Sequence, residues 1–264
     1  MSALALSGFA MVSLVPVLWG VLTSIKNPVD AFTVPPKLLF QPTLAFHHKV
    51  WFEEGFVRYL LNSAVIAVAT ACISVPIGTL AAYALARLRA PWTRSLLLGL
   101  LLVRMFPHIL LAIPFFVLAK MLGLYDTYLA MVLAMVAINQ PFTIWLMRSF
   151  FVDVPGDLDE AARIDGARDW QILLRVVLPV VRPGLVVTTL FSLLLAYNEF
   201  LFALVLTGTR TKPLPVAIAS YGAEDINYWS ISAAGAIGIT LPIVVFMALS
   251  QRHMVRGLTS GAVK

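Results

Sequence analysis

The chain has 264 residues, of which 60% are hydrophobic and 12% are charged, whereas a typical soluble domain has about 25% charged residues. Together with a mean hydropathy of +0.91, this composition excludes an ordinary soluble protein and predicts a membrane protein. The formal net charge of +6 does not indicate nucleic-acid binding, because Lys and Arg in a membrane protein more often set its orientation.

Six apolar runs are long enough to cross a bilayer, since a transmembrane helix needs about 20 mainly apolar residues. The predicted spans are residues 3–25, 59–86, 95–119, 127–147, 184–207 and 229–250. Several of these runs contain proline, which a spanning helix tolerates because neighbouring helices satisfy the freed carbonyls. We therefore predict an all-α polytopic membrane protein with six transmembrane helices, whose single transmembrane domain covers residues 1–264.

The first run fits either a signal peptide or a retained span. It has no basic n-region, it is long, and the sequence SIKNPVD that follows does not resemble a small-residue cleavage site. We therefore expect a retained first span.

The distribution of basic residues predicts the orientation, because cytoplasmic loops are enriched in Lys and Arg. With six spans, both termini lie on one side. Eleven Lys and Arg lie on that side: Arg87, Arg89, Arg94, Arg148, Arg163, Arg168, Arg175, Arg182, Arg252, Arg256 and Lys264. Seven lie on the other side: Lys26, Lys37, Lys49, Arg58, Lys120, Arg210 and Lys212. This bias places both termini in the cytoplasm.

Residues 153–184 form the most polar long segment of the chain, DVPGDLDEAARIDGARDWQILLRVVLPVVRPG. Asp157, followed three residues later by Glu160, is typical of a helix N-cap. Gly166 is typical of a residue that ends a helix in the left-handed conformation. We therefore predict a short helix over LDEAARID and a second helix that starts at about Arg168.

Physical reasoning leaves two roles open for this helix pair. It is either a solvated element that lies on the membrane surface or a docking element for another protein. A docking role would use Ala161 and Ala162, whose small side chains let a partner pack closely.

The sequence EAARIDGA, followed by LLRVVLPVVRPGL, closely resembles the EAA-type loop of ABC importer permeases. NEFLFALVLTGTRTKPLPVAIASY and the tail VRGLTSGAVK resemble the smaller, six-span permease of maltose-type sugar transporters. The resemblance implies that the loop is a coupling helix, which docks into a groove of a cytoplasmic ATPase. It places the docking residues at Glu160, Ala161, Ala162, Asp165, Gly166 and Ala167.

The same resemblance implies a function and a set of partners. The chain would form half of the pathway by which a carbohydrate crosses the cytoplasmic (inner) membrane. Its partners would be an ABC ATPase homodimer that holds ATP and Mg²⁺, a second and different permease, an extracytoplasmic sugar-binding protein and membrane lipid, with no nucleic acid. The loop at residues 208–228 would reach into the binding protein.

The sequence offers no catalytic or cofactor site of its own. It has no G-x-x-x-x-G-K-[ST] motif and therefore no P-loop. No Cys and His residues have the spacing of a metal site, and no Ser, His and Asp set stands out. We therefore expect a protein that is not an enzyme, binds no cofactor or metal, and takes the energy for transport from another polypeptide.

Polar side chains inside the predicted spans are candidates for the pathway, because such groups are costly in a bilayer. They are Arg104, His108, Asn139, Gln140, Asn198 and Glu199. The alternative role for each is hydrogen bonding between helices.

An ion-coupled secondary transporter or channel is the alternative function of the protein, with Glu199 as its ion-coupling group. An intramembrane enzyme is a further alternative, but the sequence has no catalytic pair.

Overall fold

The computed structural model describes residues 2–88, 90–221 and 228–259, and within these ranges the chain is helical, without a β-strand. The principal helices are α1 (Ser2–Ser24), α2 (Phe56–Arg87), α3 (Thr93–Met105), α4 (His108–Met121), α5 (Tyr128–Val152), α6 (Asp157–Ile164), α7 (Asp169–Val180), α8 (Arg182–Tyr197), α9 (Leu201–Leu206), α10 (Leu214–Tyr221) and α11 (Tyr228–Thr259). The middle of α7, Ile172–Val177, is wound as a π-helix. Short helical turns occupy Pro28–Ala31 and Ala45–His48.

Four helices of the described part are long and apolar enough to cross a membrane by themselves. They are α1 (over Ser7–Ser24), α2, α5 and α11 (over Tyr228–Ala248). Two bent pairs also pass the test, α3 with α4 and α7 with α8, so that the number of spans rises to six if each pair is one span. This architecture agrees with the predicted all-α membrane fold.

The third apolar run, predicted as one span over residues 95–119, is broken in the structure. Helix α3 ends at Met105, α4 starts at His108, and the two helices meet at an angle of 87°. The break follows from Pro107, which has no N–H to donate to the preceding turn. Proline also disfavours helical angles in the residue before it, and Phe106 accordingly has the extended angles φ −65° and ψ 134°.

The fifth apolar run, predicted over residues 184–207, is also interrupted. Helix α8 starts at Arg182 and ends at Tyr197, and α9 resumes at Leu201. Asn198, at the end of α8, donates its side-chain Nδ2 to the carbonyl of Leu194 at 3.0 Å. The backbone N–H of Asn198 donates to the same carbonyl at 3.1 Å, so this carbonyl accepts two hydrogen bonds at the end of α8.

The chain divides into two compact units. The first unit contains Met1–Asn62 and Lys212–Val245, and the second contains Ser63–Thr211 and Phe246–Lys264. Both α2 and α11 therefore contribute to each unit.

An aromatic cluster organises the first unit. The ring of Phe56 is fully buried and lies 6.1 Å from Trp51, 5.6 Å from Tyr59 and 5.4 Å from Tyr221, between centroids. Tyr221 donates its hydroxyl to Glu54 Oε2 at 2.6 Å. Burial, together with this hydrogen bond, raises the pKa of Tyr221 above its ordinary value. The long segment between α1 and α2 is thus a folded part of the first unit.

The apolar core of the second unit lies beneath the polar segment. It contains Ala82 and Leu85 of α2, Ile144, Met147 and Phe151 of α5, Val154, and Ile172, Leu173, Val177 and Val181 of the segment itself. Ile172 and Val177 are completely buried. One face of the second helix of the polar segment therefore packs into the protein, while Trp170, Leu174 and Val180 remain more than half exposed.

Candidate functional site

The acidic helix α6 begins one residue earlier than predicted. Its N-cap is Gly156, which has helical backbone angles, and no side chain caps the helix there. Asp157 is therefore the first helical residue, and its predicted role as the N-cap is wrong. The first turn still carries Asp157, Asp159 and Glu160, at the end of the helix where the dipole favours negative charge.

The other end of α6 is closed by Gly166, as the sequence predicts. Gly166 has a φ of +84°, in the left-handed region. Its N–H donates to Arg163 O at 3.0 Å, and the N–H of Ala167 donates to Ala162 O at 2.9 Å. This pair of bonds is a Schellman motif, which satisfies two carbonyls that a helix end otherwise leaves free. The C-terminal end of α6 is therefore held in one conformation by these hydrogen bonds.

The two faces of α6 differ in exposure. Asp159 is 3% exposed, and Ala162 and Ala167 pack against the core of the second unit. The exposed members of the predicted docking set are Glu160, Ala161, Asp165 and Gly166. Ile164 accompanies them and is 87% exposed. The outer face of α6 thus combines the carboxylates of Glu160 and Asp165 with the small side chain of Ala161 and the large apolar side chain of Ile164.

A buried ion pair holds the inner face of α6, and sequence reasoning missed it. Arg87, the last residue of α2, donates its Nε to Asp159 Oδ2 at 2.7 Å and its Nη2 to Oδ1 at 3.2 Å. Tyr83 donates its hydroxyl to the same Oδ2 at 3.0 Å. Arg87 Nη1 donates to the carbonyls of Phe151 at 3.2 Å and Val154 at 3.0 Å.

From the sequence, Arg87 is interpreted as a charge that sets the orientation of the protein in the membrane, and Asp159 as an acidic residue near the start of a helix. The two residues are 72 positions apart in the chain, so no local pattern connects them. A sequence signal for the inner face of α6 is the spacing of Asp159 and Ala162. These residues are three positions apart and therefore share one face of a helix.

A second feature of the second unit is a cavity of about 140 Å³, which is lined by Arg104, His108, Met135, Ile138, Asn139, Leu195 and Glu199. Four of the six predicted pathway residues thus come together. The break at Pro107 positions two of them, because Arg104 and His108 stand on either side of it. The wall of this cavity contains a cation, an imidazole, an amide and a carboxylate, which together can both donate and accept hydrogen bonds.

The lining residues also have protein partners. Asn139 is 3% exposed and donates its Nδ2 to Ser192 O at 3.3 Å. Glu199 Oε1 accepts a hydrogen bond from the N–H of Phe202 at 3.0 Å, at the start of α9. The Arg104 guanidinium carbon lies 4.5 Å from the centroid of the Phe142 ring. These contacts orient three of the four polar groups around the cavity, namely Asn139, Glu199 and Arg104.

Gln140 and Asn198, the other two predicted pathway residues, are not among the residues lining this cavity. Gln140 donates its Nε2 to Ser74 O at 3.1 Å and to Ser74 Oγ at 3.3 Å. Asn198 bonds within its own helix, as described above. Gln140 therefore makes a hydrogen bond between helices, which was its alternative role, whereas the side-chain bond of Asn198 stays within α8.

A third feature is the loop that follows α9, which is organised by Asp126. This residue has a φ of +58°. Its carboxylate accepts hydrogen bonds from the N–H of Gly208 at 2.8 Å, of Arg210 at 3.1 Å and of Thr211 at 3.0 Å, and from Thr211 Oγ1 at 2.8 Å. Burial works to raise the pKa of Asp126, but these bonds outweigh it and lower the pKa below its ordinary value.

Substitution of Asp126 by asparagine is expected to lower the free energy of unfolding by about 2 kcal/mol at pH 6, since hydrogen bonds to a charged group are stronger than neutral ones. Because folding lowers this pKa, the stabilisation is present above the unfolded value of about 3.9 and is lost as the pH falls through the lower folded value. Thermal unfolding in detergent across this pH range measures the difference. Asp153→Asn, at an exposed position, is the control, and a difference that persists unchanged at low pH would contradict this account.

Comparison with known proteins places these features in a family. A sequence profile described as "Binding-protein-dependent transport system inner membrane component" matches residues 74–260. The match therefore includes α6, the cavity and most of the described helices.

Similar sequences are found among named permeases. The trehalose transport system permease protein SugB of Mycobacterium tuberculosis is 39% identical, with 96% of this chain and 93% of that protein covered. The trehalose/maltose transport system permease protein MalG of Thermococcus litoralis is 35% identical, with 97% and 93% covered. Among solved structures, a chain of a bacterial ABC transporter involved in the import of the acidic polysaccharide alginate has the same fold. It matches with a TM-score of 0.78 at 24% identity, with 95% and 94% covered.

Proposed function

The chain belongs to the family of binding-protein-dependent transport system inner membrane components, and on that basis we propose that it is a permease subunit of an ATP-binding cassette importer for a carbohydrate. The match over residues 74–260 carries the proposal. The carbohydrate class is supported by relatives at 35–39% identity that are named as trehalose and maltose permeases. The subunit forms part of the translocation pathway and is not itself an enzyme.

The partners of this subunit follow from the same proposal. A separate ABC ATPase binds ATP and Mg²⁺, since this chain has no P-loop. A second permease completes the pathway, and an extracytoplasmic binding protein delivers the sugar. The family description supports an inner-membrane location, and the distribution of basic residues supports termini on the cytoplasmic side.

Helix α6 is the element that docks to the ATPase. Its exposed face presents Glu160, Ala161, Ile164 and Asp165, and its end is fixed by Gly166. When the ATPase closes on ATP, a docked helix whose C-terminal end is fixed moves as a rigid body and displaces the helices attached to it. Interface-driven movement of packed helices of this kind is a recurrent switching mechanism.

The polar cavity contributes to the wall of the translocation pathway. Its volume of about 140 Å³ is below the roughly 300–1,000 Å³ of pockets that enclose a small ligand. It therefore fits a segment of polar wall that exchanges hydrogen bonds with passing sugar hydroxyls through Arg104, His108, Asn139 and Glu199. The remaining wall is assigned to the second permease.

The alternative, an ion-coupled transporter or channel, is less well supported. It depends on Glu199, and one oxygen of this carboxylate already accepts a hydrogen bond from Phe202 N–H. Such a protein would also have no use for an exposed, capped helix such as α6.

Purification of the subunit from its native membrane in mild detergent, followed by mass spectrometry, tests the assembly. We expect a P-loop ATPase, a second permease and an extracytoplasmic binding protein to copurify. Recovery of the chain alone, or as a homodimer without an ATPase, would overturn the proposal. A second purification, from membranes preloaded with a non-hydrolysable ATP analogue, controls for an ATPase that dissociates during the first purification.

A further inference from the structure

The ion pair between Arg87 and Asp159 joins three elements of the second unit at one point. Asp159 belongs to α6, and Arg87 is the last residue of α2. The same guanidinium also bonds to the carbonyls of Phe151, in the last turn of α5, and of Val154, just beyond it. The chain itself connects α6 only to α5 and α7, so the Arg87–Asp159 pair gives α6 a separate connection to α2.

The chemistry of this pair suits a stiff connection. The guanidinium donates two bonds to the two oxygens of one carboxylate, a fork geometry that fixes orientation as well as distance. The side chains are 20% and 5% exposed, so water competes little for either charge. Tyr83 satisfies Asp159 further, and four of the donor positions of Arg87 are in use. A lysine at position 87 has one nitrogen and cannot reproduce this planar set of bonds.

The position of the pair is equally informative. The outer face of α6 is the face proposed to receive force from the ATPase, and Asp159 lies on the opposite, inner face at 3% exposure. A displacement of α6 is therefore delivered directly to the end of α2. Helix α2 is 32 residues long and continuous, so a push at Arg87 reaches the far end of a transmembrane helix.

We propose that Arg87 and Asp159 are positioning residues that transmit the displacement of α6 to α2, so that α2 moves with the docking helix during each transport cycle. This inference rests on the proposed function, since it takes the docking of α6 to an ATPase as given. Arg87 and Asp159 do not contact the substrate, and they act on transport through the helix that they move.

The test uses the reconstituted importer with all of its subunits. We expect Arg87→Gln to lower the number of sugars moved for each ATP hydrolysed by about tenfold, with the subunit still assembled. Arg87→Lys is expected to be intermediate, because it keeps the charge and loses the fork. Arg94→Gln, at an exposed position on the next helix, is the matched control.

A double variant separates transmission from folding. A buried charge left without its partner is destabilising, whereas removal of both charges relieves this penalty. Arg87→Gln combined with Asp159→Asn should therefore recover the thermal stability lost in either single variant, and the importer should still move few sugars for each ATP hydrolysed. Recovery of the full transport ratio in the double variant would show that the pair only supports folding, and the proposal would fail.

A distance measurement gives a direct readout. The only cysteine of the chain, Cys72, is exposed on α2, and Asp157→Cys adds a second label on α6. The distance between spin labels at these two positions should be the same in the nucleotide-free and the ATP-bound importer. When Arg87→Gln is added, the distance should differ between these two states. A distance that changes between states in the unaltered pair, or stays constant in the variant, would refute transmission. Absence of ATP-dependent uptake in the wild type would instead refute the proposed function.

Discussion

Replacement of Gly166 by valine is expected to reduce sugar uptake by about tenfold or more, while the subunit stays in the membrane with its partners. The φ of +84° at this position is one that a β-branched residue adopts only with strain of about 1–3 kcal/mol. The end of α6 would relieve this strain by unwinding. A cost of 1.4 kcal/mol corresponds to a tenfold change in the population of the intact form.

Asparagine at the same position is the matched control for this prediction. Asn tolerates the left-handed conformation better than other residues that have a side chain, so Gly166→Asn should retain most of the uptake. Because the Cβ of a substituted residue meets nothing within 4 Å, a difference between the two variants reports the backbone angle and not a clash within this chain. Equal uptake by Gly166→Val and the wild type would show that the closed end of α6 is not required for coupling.

Phe151→Ala is expected to be the most destabilising substitution in the second unit. The Phe151 ring is completely buried and lies 5.5 Å from the Tyr83 ring in an edge-to-face arrangement. Truncation of a buried phenylalanine costs about 3–5 kcal/mol through lost contacts and a residual cavity. Since the core around Phe151 underlies the polar segment, we also expect the packing of α7 to loosen.

Thermal unfolding in detergent, combined with limited proteolysis of residues 153–184, measures both effects. The neighbouring Val152 is 52% exposed, so Val152→Ala is the control and should change the unfolding temperature little. Similar unfolding temperatures for the two variants would contradict the assignment of Phe151 to the core.

The sequence located the apolar runs but not the course of the helices through them. Pro76, Pro141 and Pro242 lie inside helices that remain continuous, whereas Pro107 separates α3 from α4 by 87°. All four residues lack the same N–H group, so the difference depends on which neighbouring groups satisfy the freed carbonyls. This tertiary information is absent from a hydropathy pattern.

In the candidate sites, too, features set by neighbouring residues could be predicted, whereas contacts between residues distant in the sequence could not. The closed end of α6 at Gly166 could be predicted, because a glycine after a short helix is a local signal. Asn139 and Gln140 could not be distinguished in advance. Adjacent residues of a helix point about 100° apart, and the structure directs Asn139 to the cavity and Gln140 to Ser74. The pairing of Arg87 with Asp159 was equally unpredictable, since it depends on how α2 and α6 pack.

The most direct test of the central claim, that this chain serves an ATP-driven importer, is sugar uptake into liposomes. The vesicles would contain this subunit, its second permease and its ATPase, with a radiolabelled carbohydrate that the copurified binding protein retains. The account predicts uptake that requires internal ATP and the binding protein, and that Gly166→Val greatly reduces. Uptake that proceeds without ATP, in response to an imposed proton or sodium gradient, would contradict the account and favour an ion-coupled transporter.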